Sequence, residues 1–460
     1  MTHRSVCLAT ALAIGAAAGA FTLPTETHAT AENGLEVIVV PSSRVPMVAI
    51  RLVVRAGSAD DPPGKEGLAA LTASLLTQGA GPRTAPQIAF DLESVGGTLS
   101  AQADRERTAV SLEVLSRDFD LALALLHDVV MRPTFAEAEV ARQKAEAVGS
   151  IQTDRDDPSH VADDAILPMV FGDGAFGHPP GGWEKSVAAL TREDVIAFHA
   201  TRFRPDRAML VIVGDVSLES AMAKVKATFQ PWARPATAPA PPRDALELRG
   251  DAARPAGLAV RIVALPDLTQ SQIRLSCPSV PRNHPDHFPM MVANTVLGGG
   301  FTSRLVDEIR VTRGMTYRIG SRFDLGIAGG RFGIATFTKN ETLRPCVDAI
   351  LEVVAKLVAS GPTDEELAKA KRYLEGQHPL GLQAPGDLAA QIADRELHGM
   401  APDYLTTYDA RVDAVTIDDC RRALSAHVCA RDLDVLVVGD PDAARKALEG
   451  LGPIEVVPVP

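Results

Sequence analysis

The sequence predicts an α+β protein made of two homologous domains, each an α/β sandwich whose antiparallel-rich sheet carries helices on one face. Three observations point there. Two segments of the first half recur in the same order in the second half. A Pro/Ala-rich interval separates the repeats, and each repeat mixes short alternating apolar runs with longer amphipathic ones. A chain of 460 residues also exceeds what a single core normally organises.

The first element lies outside the fold. Arg4 leads into an uncharged run rich in Ala, Leu, Val and Ile. Small residues at Ala29 and Ala31 follow, before Glu32. This reads as a signal peptide over residues 1–31 and implies export, to the periplasm or the extracellular space. The apolar part is short, and no basic stop-transfer cluster follows it, so no stable membrane span is expected. Removing the segment takes away one Arg and one Glu, which leaves the net charge at −12. Such an acidic chain with no basic stripe is not expected to bind nucleic acid.

The N-terminal domain is expected over residues 32–230. Residues 48–53 alternate as a strand, and a helix follows that ends near Gly79. Residues 97–101 and 108–114 form a hairpin pattern, and 119–131 and 135–151 have helical period. Thr191 then caps a helix, with Asp194 three residues on, and an apolar strand closes at Gly214-Asp215. Five prolines over 231–243 make that stretch an extended linker. The C-terminal domain, 244–460, repeats the scheme. A strand at 271–276 precedes a helix ending at Gly300, and Thr416 and Asp419 open the helix before a strand closing at Gly439-Asp440. The interval from Thr to Gly is identical in the two halves. Thr363 and Glu366 form a further capping box.

With aromatics at only 4%, the core must be mostly aliphatic. Four cysteines remain after the leader: Cys277, Cys346, Cys420 and Cys429. None forms a C-x-x-C pair, which excludes a zinc ribbon or a thioredoxin-like site. Cys420 and Cys429 lie about 13 Å apart along a continuous helix and cannot bond to each other. The expectation is four buried thiols. His284 and His287 form an H-x-x-H, but Pro285 between them disfavours a shared helical face, so they are read as structural or surface residues. His178 lies in a Gly-His-Pro-Pro loop and is not read as a metal ligand.

The order of elements resembles the pitrilysin/insulinase-type zinc metallopeptidases, in their processing-peptidase-like branch with an inverted zinc motif, over nearly the whole mature chain. The resemblance implies Gly-x-Ala-His-x-x-Glu-His on the first helix and a Glu ligand on a later one. Two imidazoles and a carboxylate would hold zinc, and the intervening Glu would activate water. Here Gly67 and Ala69 are present. Ala70, Ala73 and Ser74, however, stand at the His, Glu and His positions, and Ser150 stands at the last ligand position, ahead of Pro158. No metal site and no cofactor are expected in this chain.

The second half keeps a different motif. Gly298-Gly299-Gly300 is followed by Ser303-Arg304-Leu305 and then by Arg310 and Tyr317, spaced as in the Arg…Gly-Leu-x-Tyr motif of the family, with Met315 replacing Leu. The resemblance implies that Arg310 and Tyr317 bind peptide substrate, a guanidinium and a phenol both donating to carbonyl oxygens. In the bland alternative Arg310 pairs with Asp307 or Glu308 on its own helix. The expected function is a non-catalytic subunit of a heterodimeric zinc metallopeptidase, with zinc in a homologous partner that bears the motif. The alternative is a non-enzymatic peptide-binding or scaffold protein.

Overall fold

The computed structural model describes residues 23–236 and 257–460. Most of the expected linker and the apolar part of the expected leader lie outside the described residues.

The first half builds a six-stranded sheet from β1 (Thr27–Thr30), β2 (Glu36–Pro41), β3 (Met47–Val54), β4 (Thr98–Ala103), β5 (Thr108–Leu115) and β6 (Ala208–Gly214), in the order β1-β2-β6-β3-β5-β4. The second half builds another from β7 (Ala259–Ala264), β8 (Gln270–Ser279), β9 (Ile319–Leu325), β10 (Gly330–Lys339), β11 (Asp434–Gly439) and β12 (Ile454–Val457), in the order β12-β7-β11-β8-β10-β9. From the second position to the far edge, five strands correspond one for one. The parallel pair β2–β6 has its counterpart in β7–β11, and the remaining pairs are antiparallel except β12–β7, which is parallel as well. The duplication read in the sequence is thus carried into topology. Both repeated Thr residues cap their helices in full capping boxes with Asp194 and Asp419.

Each half lays its own helices on one face of its sheet, as expected. The Phe119–Met131 and Leu218–Phe229 helices close the first core, and the Leu343–Ser360 helix closes the second. The second face is covered as well, by a helix from the other half. Leu388, Ala389, Ile392 and Ala393 of the Pro385–Leu397 helix join Ile38, Val40, Ala49, Val53 and Met209 of the first sheet. Val161, Ala162, Ala165 and Ile166 of the Pro158–Phe171 helix meet Val263, Leu436 and Val438 of the second. This is why every residue of β6 and β11 is buried and why these strands read as continuous apolar runs.

Three expectations need correction. Residues just ahead of Ala31 are part of the fold: β1 pairs antiparallel with β2 across Thr27–Thr30. Glu26 forms an ion pair at 2.6 Å with Arg395, whose side chain is 2% exposed on the crossing helix. A leader ending at Ala31 would discard this strand and leave a buried guanidinium with Glu396 as its one remaining carboxylate partner. The cysteines are not all thiols, since Cys277 and Cys429 form a disulfide. They lie 152 residues apart in sequence. They meet because β11 runs beside β8, which brings the chain entering β11 past Cys277. Cys346 and Cys420 remain free, and burial pushes both thiols up to about 12, which makes them unreactive. The described start of the expected linker, 231–236, is not all extended: it contains a turn, and Trp232 packs into the first core.

The halves also touch at their hairpin tips. Both carboxylate oxygens of Glu106, between β4 and β5, accept the Ile327 N–H from the turn between β9 and β10, at 3.0 and 2.8 Å. Burial raises this carboxyl to about 7 although the backbone N–H opposes the shift. A folded-state value above the unfolded one means that the native state binds the extra proton. Stability therefore falls as pH rises from about 4.5 to about 7. Glu106→Gln keeps an acceptor for Ile327 and is expected to remove on the order of 1–3 kcal/mol of that pH dependence in urea unfolding. Deleting residues through Ala31 is expected to lower the melting temperature by several degrees, and Edman sequencing of the protein purified from its native source should find a start ahead of Glu26.

Candidate functional site

The helix that matches the metal-holding helix of the family resemblance is Leu68–Leu75. Gly67 begins it at φ +96, where an added Cβ would lie 2.5 Å from the Gly181 carbonyl oxygen, so only glycine fits. The buried Asp61 carboxylate accepts the Gly67 and Ala69 N–H groups, both at 2.8 Å, and so satisfies the open end of the helix. Burial raises this carboxyl to about 7, with the two N–H bonds opposing. The scaffold of the site is therefore intact. Ala70 and Ser74 lie one turn apart and half-buried, and Ala73 is buried. The Ser74 hydroxyl turns back to donate to the Leu71 carbonyl at 2.9 Å. Ser150 is exposed on the Glu137–Asp154 helix, which packs against the first helix and sends Arg142 to Gln78 at 2.6 Å. Methyl groups and hydroxyls cannot make the ligand set that zinc needs. Among the described residues, no converging group of three His, Cys, Asp or Glu side chains falls on these helices.

The second motif is built where the His287–Asn294 helix widens into a π-turn, Thr295–Gly299. Gly298 passes so close to β9 that a Cβ would sit 2.5 Å from the Ser321 hydroxyl. Asn294 fastens the crossing: it accepts from the Ser321 hydroxyl at 2.7 Å and donates to the Ser321 carbonyl at 3.1 Å. Arg304 then grips Glu366 with two bonds of 2.7 Å and holds that carboxyl below its usual range. Leu305 is fully buried. The Ser-Arg-Leu segment is thus architectural, locking the loop to the cap of the Asp364–Gln377 helix.

Arg310 lies in a second π-helical segment, Val306–Thr312, a geometry that recurs at functional sites. It does not pair with Asp307 or Glu308. Glu308 binds Arg313 at 2.7 Å, while the Arg310 guanidinium lies 5.0 Å over the ring of Phe301. Among the described residues Arg310 has no carboxylate partner and the Tyr317 hydroxyl has no hydrogen bond. Tyr317 is 84% exposed, and Phe301 and Val311 beside the motif are exposed too. Exposed apolar side chains thus cluster in the sequence around the motif. The structure does not bring the two motifs together. The first helix packs on elements of its own half, and the Arg310 segment packs on the Leu343–Ser360 helix and β9. His178 is buried against the Pro179 carbonyl, and His287 bonds to Tyr404 at 3.1 Å. Sequence reading gave no sign of Phe301 as the support for Arg310.

Comparison with known proteins agrees with this architecture. The family profile described as insulinase (peptidase family M16) matches residues 37–179, and that described as peptidase M16 inactive domain matches 189–374. The chain belongs to the M16 peptidase family and is of the inactive-domain type. An uncharacterised zinc protease of Mycobacterium leprae is 29% identical, covering 91% of this chain and 92% of its own. One from Streptomyces coelicolor is 28% identical over 90% of each. A crystal structure of a peptidase M16 inactive domain from Pseudomonas fluorescens superposes with a TM-score of 0.81 at 25% identity, over 90% of this chain and 98% of that one. The periplasmic protease PqqL of Escherichia coli shares the fold at a TM-score of 0.76 and 16% identity, with this chain spanning 46% of its length. Among the described residues no helix is long and apolar enough to cross a membrane.

Restoring residue types on the first helix alone is expected to fail. In the triple variant A70H/A73E/S74H a carboxylate replaces a buried methyl group at position 73, and Ser150 still offers no carboxylate ligand. The chain should lose about 1–3 kcal/mol of stability and show no peptidase activity with added zinc, measured on a fluorogenic peptide.

Proposed function

We propose that this chain is the non-catalytic subunit of a heterodimeric zinc metallopeptidase. It closes a chamber whose zinc is held by a homologous partner, and it grips the peptide through Arg310 and Tyr317. One observation carries the reading: the guanidinium and the phenol have no polar partner of their own among the described residues, while the helix that would hold metal has no ligand. Two donors kept free are useful only to something that arrives from outside the chain.

In that complex Arg310 donates to backbone carbonyls or to a carboxylate of the peptide, held at its working angle by the Phe301 ring. Tyr317 donates to the scissile carbonyl oxygen as negative charge gathers on it, and the zinc and its water belong to the partner. Substrates are short or unstructured peptides, held partly as an added strand; β4 and β9 each end a sheet and offer unpaired backbone for this. The protein is exported and works in the periplasm or outside the cell, where the Cys277–Cys429 bond is stable.

Tyr317→Phe is expected to lower kcat of the reconstituted pair roughly tenfold to a hundredfold, while gel filtration shows assembly unchanged. An unaltered rate removes Tyr317 from the mechanism. Peptide binding with no zinc-bearing partner in the native complex, and no activity on mixing with a candidate partner, would turn the reading towards a non-enzymatic peptide-binding scaffold.

A further inference from the structure

The corner where the His287–Asn294 helix meets the Ile417–His427 helix holds a cluster that the peptidase reading does not use. His284 and Asp286 lie ahead of the first helix, and His427 ends the second. One ligand atom from each converges within 4.8 Å of the others. Asp286 and His427 are buried, and His284 is about one-third exposed. We propose that His284, Asp286 and His427 form a structural site for a zinc-class divalent cation that fastens the two helices together.

The donor set is two imidazoles and one carboxylate, all of them zinc ligands, and the fourth place would be taken by a water from the more open His284 side. The groups are already aimed. The Asp286 N–H donates to His284 Nδ1 at 3.1 Å, so that nitrogen is unprotonated; an ion would take over the lone pair that now accepts this N–H. His284 Nδ1 is 3.9 Å from Asp286 Oδ2, too far for a hydrogen bond but close for two ligands of one ion. His427 Nε2 is 2.8 Å from the same oxygen. With metal–ligand bonds of about 2.0–2.2 Å, ligand atoms around a tetrahedral ion stand about 3.3 Å apart, so sub-ångström shifts admit the cation. Arg422 holds the other carboxylate oxygen, Oδ1, and stays as the outer partner that orients the ligand. The proton now on His427 Nε2 moves to Nδ1 or leaves to solvent. Two residues further on, the Cys277–Cys429 bond pins the same corner, which keeps His427 from swinging away. His287 is not a ligand, since it is turned to Tyr404.

The test is cobalt titration of the full chain after chelator treatment and dialysis. One equivalent should produce the intense visible bands of four-coordinate Co(II), zinc should abolish them, and zinc should raise the melting temperature. His284→Ala, on the more exposed ligand, and His427→Ala should each weaken binding at least tenfold, while His287→Ala should bind as the wild type does. Circular dichroism melts of the metal-free variants confirm that they are folded. No bands at millimolar cobalt, or bands of equal strength in His284→Ala and His427→Ala, would mean an adventitious ion only and overturn the proposal. Neither result depends on Arg310, Tyr317 or a partner chain.

Discussion

Each half of this protein is finished by the other. A mixed sheet with apolar side chains on both faces cannot stand in water with one face bare. Here the second face of each sheet is closed by a helix supplied from across the molecule, Pro158–Phe171 in one direction and Pro385–Leu397 in the other. Burying a single Leu or Ile side chain contributes about 1.5–3 kcal/mol, so each crossing helix brings several such terms. The two halves therefore share their stability, and the faces that present the two motifs are held in one frame.

On that frame, one motif keeps its scaffold without the residue types that bind metal, and the other keeps both its scaffold and its Arg and Tyr. Around Ala70, Ala73 and Ser74 the Gly67 turn and the Asp61 cap persist, because they stabilise the helix whatever its exposed face carries. In the second motif the residues sort by contact. Arg304 and Leu305 are tied into the structure. Arg310 and Tyr317 are not, and Phe301 holds the guanidinium without neutralising it.

Much of this was legible in the residues. The Phe119–Met131 helix, the β4–β5 hairpin and the paired Thr caps follow from local periodicity and capping chemistry, which depend on neighbours in sequence. The two motifs were legible through resemblance and through the residue types standing in them. What escaped has a common cause, since it depends on residues far apart in the chain. Cys277 meets Cys429 and His284 meets His427 only once β8 and β11 are neighbours, and Glu26 finds Arg395 only once the crossing helix is in place. The small residues near Ala31 follow a short edge strand, and nothing local in the sequence announces that strand.

The sixth strands carry a consequence for ancestry. β1 comes from ahead of the first repeat and runs antiparallel to β2, whereas β12 comes from behind the second and runs parallel to β7. Strands recruited from opposite ends in opposite directions cannot both descend from the element that was copied. What the halves have in common is the five-stranded unit with its crossing helix, and each such unit is completed by the helix of the other.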